Sequence, residues 1–201
     1  MRSRKRQNYE QYGDLFFVTS TIAGFINLFE SKSACEILIN TLKFYQSRSD
    51  YRMLGYAIMP NHFHIVMKIK SDKSISLIIG NIKKYSAHQI VKYLENEGRS
   101  ELLIMLRDAA SKEPARDCRI WKPRFDCFVI TKEDTLQQKL NYIHFNPVRA
   151  NLVVKPEDWH YSSAGNYAGF SNNAIDIDVG WECIGYQFGR SKPLRFRHIK
   201  R

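Results

Sequence analysis

YRMLGYAIMPNHFHIVMKI, residues 51–69, splits at Pro60-Asn61 into two runs dominated by apolar, aromatic and β-branched side chains. Pro-Asn is a turn signal, so Tyr51–Met59 and His62–Ile69 are predicted as two antiparallel strands of one hairpin. Downstream, Ser74–Glu97 reads as a helix with Ile78, Ile82, Tyr85, Gln89 and Tyr93 close to one face and Gly98 as its stop. Upstream, Ser31–Ser47 repeats apolar residues at helical spacing, and Leu15–Ile22 is strand-like. Phe125–Thr131 is a fourth strand, and Glu133–Phe145 a helix that Asn146-Pro147 is expected to end. Glu101–Asp108 either prolongs the preceding helix or forms a short one of its own. The order βαββαβα predicts an α+β fold of ferredoxin-like type, a mostly antiparallel sheet of four to five strands with helices packed on it.

The chain has 201 residues, 44% hydrophobic and 25% charged, which suits a folded core and excludes wholesale disorder. No apolar run approaches the roughly 18 residues of a membrane span, and the polar start lacks a signal-peptide core, so a cytoplasmic location is expected. Cys35, Cys118, Cys127 and Cys183 include no CxxC pair, which argues against a zinc ribbon and for reduced thiols.

Net charge is +11. Four basic residues lie within positions 1–8 and six within 190–201, with no acid in either segment, so the ends hold 4 + 6 = 10 of the 31 bases. The remaining 21 bases face all 20 acids. The organisation read from this is a basic arm at 1–9, a domain at 10–170 and a basic tail at 171–201. Such ends are either solvated or grip phosphates, with Arg195 and Arg197 among the candidates.

Chemistry concentrates at His62-Phe63-His64. On a strand, i and i+2 share a face about 7 Å apart, so both imidazoles point one way. A His-x-His pair arises by chance often enough to be weak alone. The following helix adds Tyr85 and Gln89 at i and i+4, one above the other. If that helix crosses the hairpin on the histidine side, two imidazoles, an amide oxygen and a phenol meet. That set suits a divalent ion with open positions beside a nucleophile. The competing reading buries Tyr85 among Ile82 and Tyr93. Trp121, Trp159 and Tyr161 either stack on unpaired bases or pack in the core.

MPNHFHIVM (59–67), KKYSAHQ (83–89), YIHFNPVRANLV (142–153) and PEDWHYSSAGNY (156–167), in this order, resemble the single-tyrosine HUH transposases, most closely their REP-associated branch. The resemblance spans about residues 10–167. It implies a domain that cuts and rejoins single-stranded DNA next to hairpins, with His62, His64 and Gln89 as metal ligands and Tyr85 as nucleophile. Two histidines and one amide leave coordination room for phosphate and water, which favours Mg²⁺ or Mn²⁺ over closed zinc. Lys83, Lys84 and Arg149 are candidate phosphate contacts. The expected partner is single-stranded or hairpin DNA, handled by a monomer or a homodimer, in a mobile element or a host-domesticated transposase acting on repeat palindromes. The alternative of another class is a non-catalytic single-stranded DNA or RNA binding module, in which the His-x-His and Tyr-x₃-Gln patterns have no purpose.

Overall fold

The computed structural model describes residues 13–48, 50–70, 72–111, 120–177 and 179–180. Strand β1 (Leu15–Thr21) leads through two 3₁₀ turns into helix α1 (Lys32–Ser47), then β2 (Tyr51–Met59) and β3 (His62–Ile69). Helices α2 (Ile75–Asn96) and α3 (Ser100–Ser111) follow, then β4 (Asp126–Val129), α4 (Glu133–Arg149) and the short α5 (Ala164–Tyr167). All strand pairings are antiparallel and the order is β2-β3-β1-β4, the ferredoxin-like arrangement. The sheet has four strands, the lower figure expected from sequence.

The alternation of β3 divides the molecule. Phe63, Ile65, Met67 and Ile69 join Phe16 and Val18 of β1 in a core built with the apolar faces of α1 and α2. Ile75, Ile78, Ile79, Ile82 and Ile90 supply α2's side of that core. Each such isoleucine contributes about 1.5–3 kcal/mol by leaving water. Val66, on the other β3 face, packs with Leu15, Leu54 and Ala57 beneath Leu136, Leu140 and Ile143 of α4. The sheet is therefore covered on both sides: by α1 and α2 on one, by α4 on the other.

Gly55 sets how closely α4 approaches. A Cβ there would lie 2.5 Å from Leu140 Cδ2 and 3.1 Å from Ile143 Cδ1. Only a residue without a side chain leaves room for the helix.

One boundary that the sequence left open is decided, and two differ from its expectation. Gly98, at φ 63°, separates α2 from α3, so residues 101–108 belong to a helix of their own. Helix α4 does not stop at Asn146-Pro147 but runs to Arg149. Its end is a Schellman motif: Asn151 adopts φ 55°, its N–H donates to Val148 O, and Leu152 N–H donates to Pro147 O. The folded body also extends past residue 170, because Ala174 and Ile175 are buried and Ile175 N–H donates to Tyr56 Oη at 3.2 Å. Cys35 is buried and Cys127 half-buried. Cys118, Cys183 and the two basic ends, Arg195 and Arg197 among them, lie outside the described residues. Among the described residues no helix is long and apolar enough to cross a membrane.

Candidate active site

His62 and His64 occupy the β3 face that looks towards α4. Strand β3 is interior, and His64 pairs across to Thr19 of β1 and Ala57 of β2. The Thr19 hydroxyl lies 2.8 Å from His64 Nδ1, and Asn61 Oδ1 lies 2.7 Å from His62 Nδ1. With Nδ1–H of His62 donated to Asn61, its Nε2 carries the free lone pair. The two Nε2 atoms are 3.1 Å apart. His64 is buried, and burial, then the neighbouring His62 and Lys139, push its pKa down to about 3; burial lowers that of His62 as well. Both rings are thus neutral near pH 7, the form that ligates a cation.

Around His64 stands an aromatic wall. Phe17 stacks on it with centroids 5.4 Å apart, and Tyr142 of α4 meets its ring at 5.4 Å and 70°. Tyr142 touches the site without being sealed in the core, at 42% exposed. Two cations flank it on the same helix. Lys139 Nζ sits 4.7 Å from the Phe17 centroid and 4.9 Å from that of Phe128. The Arg149 guanidinium lies 5.5 Å from the Tyr142 centroid and donates to the Tyr142 carbonyl at 3.2 Å. One turn beyond Tyr142, on the same side of α4, Asn146 has a buried amide nitrogen with no hydrogen-bond partner.

The residues fit a divalent cation. Two Nε2 atoms at 3.1 Å match neighbouring ligands of one ion at about 2.1 Å from each. The amide ends of an asparagine are interchangeable by a flip, so the unpartnered end of Asn146 is available as an oxygen donor. Among the described residues no three His, Cys, Asp or Glu converge, and the Asn146 amide is the candidate third ligand on the helix that covers the histidines.

The sequence-predicted set is only partly assembled. His62, His64 and Arg149 come together. Tyr85 and Gln89 do not join them: α2 packs on the Phe63, Ile65 and Met67 face, and the sheet lies between. Tyr85 is 44% exposed and stacks on Phe44 of α1 at 6.0 Å and 14°, away from His62 and His64. Lys83 is a structural tie, its Nζ donating to the carbonyls of Lys122, Pro123 and Arg124, and Lys84 is exposed on the same helix. Trp121 is a core residue, packed on Phe29 and Phe63 with its Nε1–H donated to Ser86 Oγ. Trp159 donates Nε1–H to Ile58 O, and Tyr161 Oη bonds Glu36. The sequence reading missed Thr19, Asn61, Lys139, Tyr142 and Asn146. A signal for the last two was present, since Tyr142-x₃-Asn146 has the same phenol and amide spacing as Tyr85-x₃-Gln89.

Residues 26–146 match the family model described as Transposase IS200 like, well over half of the chain. The chain belongs to the IS200-like transposase family. A Haemophilus influenzae protein named as a REP-associated tyrosine transposase is 25% identical over 171 residues, covering 80% of this chain and 85% of that one. The solved structure of a REP-associated tyrosine transposase bound to a REP hairpin superposes with a TM-score of 0.60 at 18% identity, over 96% of this chain and 99% of the other. The IS200-like chain therefore shares the fold of that structure, and the family match ends at Asn146, within the helix that carries Tyr142.

Proposed function

We propose that this transposase is a metal-dependent single-strand DNA nickase and strand transferase whose nucleophile is Tyr142. The observation that carries the reading is the placement of Tyr142 against His64, on the sheet face shared by both histidines. His62, His64 and Asn146 would hold Mg²⁺ or Mn²⁺, which supplies Lewis-acid polarisation of a phosphate oxygen. Tyr142 Oη attacks the scissile phosphorus. The new phenolic P–O bond forms as the P–O3′ bond breaks, and the phenol's proton ends on the departing 3′ oxygen. The strand then carries a 5′-phosphotyrosine and a free 3′-OH.

The attacked phosphodiester is an anion, so positive charge beside the nucleophile matters. Lys139 and Arg149 provide that charge on either side of the ring. Because one phosphoester replaces another, a second 3′-OH can reverse the step and join a different strand without ATP. Phosphate contacts by the two basic ends and a DNA hairpin beside the cut complete the proposal. The solved relative bound to a REP hairpin supports the hairpin as the partner class.

The test is selection of bound hairpin oligonucleotides, then incubation with Mn²⁺ and a denaturing gel that reveals covalent protein–DNA bands. Tyr142→Phe is expected to abolish the adduct and Tyr85→Phe to retain it. An adduct that survives Tyr142→Phe and disappears with Tyr85→Phe would return the role to α2.

A further inference from the structure

A groove of about 330 Å³ opens at the turn that precedes the histidine strand, lined by Phe29, Lys32, Pro60, Leu152, Trp159 and Tyr161, with Glu30 also on its wall. Its place in the fold joins three parts of the site. Pro60 precedes Asn61, the residue that orients His62. Leu152 follows the end of α4, the helix of Tyr142 and Asn146. Phe29 N–H donates to Pro60 O at 2.8 Å, and Trp159 Nε1–H donates to Ile58 O at 2.9 Å, so the walls are tied to the hairpin that carries the histidines.

The chemistry of the lining is selective. Trp159 and Tyr161 stand with ring centroids 6.3 Å apart and planes at 77°. Their polar ends are already bonded, to Ile58 and to Glu36, so what they offer an occupant is ring faces. Lys32 is exposed at the first position of α1, where its charge adds to the positive end of that helix. Glu30 is the single acid of the lining, and its carboxylate accepts from Asn27 Nδ2 at 2.9 Å. Flat apolar walls with a cation at the rim suit a planar ring attached to a phosphate.

We propose that this groove receives one unpaired nucleobase of the DNA strand, in the nucleotide next to the phosphate held at His62 and His64. The inference rests on the DNA reading above. The base stacks on one of the two rings, Trp159 or Tyr161, and meets the other edge-on, and Lys32 meets the adjoining phosphate. A bound base then fixes which phosphate lies at the histidines, so the groove acts as a ruler for the cut. Stacking tolerates every base, so the groove sets position more than sequence.

The test is photocrosslinking. The full chain, in EDTA, is irradiated with a random single-stranded DNA of about 20 nucleotides in which 5-iodouracil replaces thymine, and crosslinked peptides are mapped. The expected adducts fall on Trp159 or Tyr161. Leu152→Trp enlarges a lining side chain of the groove and is expected to cut that crosslink by at least about fivefold, with total DNA binding within about twofold. Lys32→Glu, at an exposed position, gives a second reading of the same crosslink should Leu152→Trp perturb the fold. Adducts that map elsewhere while DNA is bound, or a crosslink unchanged in the folded variants, would overturn the proposal. So would a groove filled by a segment of this chain, seen as an intramolecular contact that DNA does not displace. No cleavage is needed, so an inactive Tyr142 leaves the result standing, and an empty groove leaves the covalent adduct standing.

Discussion

The hydroxyl of Thr19 is a small group with a large task. It holds Nδ1 of His64 at 2.8 Å and so decides where Nε2 of that ring points. Partners of this kind tune ligands, and their loss typically costs 10–100-fold in metal affinity or activity. Thr19→Val keeps the shape and removes the hydrogen bond. It is expected to raise the Mn²⁺ concentration needed for half-maximal cleavage by about tenfold or more while leaving thermal unfolding nearly unchanged. Cleavage titrated with Mn²⁺ checks this, and an unchanged midpoint would dismiss the orienting role. The histidines themselves were legible in sequence because a period of two puts residues 62 and 64 on one face. The tyrosine that the structure sets against them was not. Tyr85-x₃-Gln89 and Tyr142-x₃-Asn146 are equivalent as helical patterns, and Asn146-Pro147 resembles a helix stop. Pro147 instead sits buried in the last full turn of α4, with the true stop four residues later at Asn151.

At the scale of elements, the decisive question is which face of the sheet each helix covers. The apolar set Phe63, Ile65, Met67, Ile69 and the mixed set His62, His64, Val66, Lys68 were both visible in sequence. The strongly apolar stripe of α2 goes to the former, because burying isoleucines against histidines would forfeit the transfer energy that drives packing. That argument alone removes Tyr85 from the histidines. The mixed face is left for α4, whose Leu136, Leu140 and Ile143 cover Val66 and Leu54 while Tyr142 and Lys139 reach the polar end. Gly55 governs the closeness of that contact. Gly55→Ala places a methyl against Leu140 and Ile143, and overpacking of this kind costs about 1–3 kcal/mol. The expected outcome is that stability loss in urea, together with a fall in single-turnover cleavage measured where the variant is still folded, because Tyr142 moves with its helix. Full cleavage in a destabilised Gly55→Ala protein would separate helix position from catalysis.

For the molecule as a whole, charge is the legible quantity. On the proposed DNA reading, a body of net +1 between ends that carry ten bases would assign long-range attraction for the strand to residues 1–8 and 190–201. If the six bases at 190–201 each neutralise one phosphate, the log–log salt slope steepens by about 4, and partial engagement gives about 2–4. A chain ending at Gly189 is expected to lose that slope yet to cleave at an unchanged single-turnover rate on saturating DNA, since His62, His64, Tyr142 and Asn146 all lie in the body. Binding measured across a salt series checks it, and an unchanged slope would make the tail a bystander.

On the proposed reading the site is also a genetic unit. His62, His64 and Tyr142 share one side of one sheet within a single chain, and Asn146 follows one turn after Tyr142 on the same helix, so each chain would carry its own site. Mixing His64→Ala protein with Tyr142→Phe protein is expected to yield no adduct above either alone on a denaturing gel, and restored activity would mean that subunits exchange their α4 helices. If that holds, a cell carrying two copies crippled at different positions would keep both crippled, and the activity would be inherited whole or not at all.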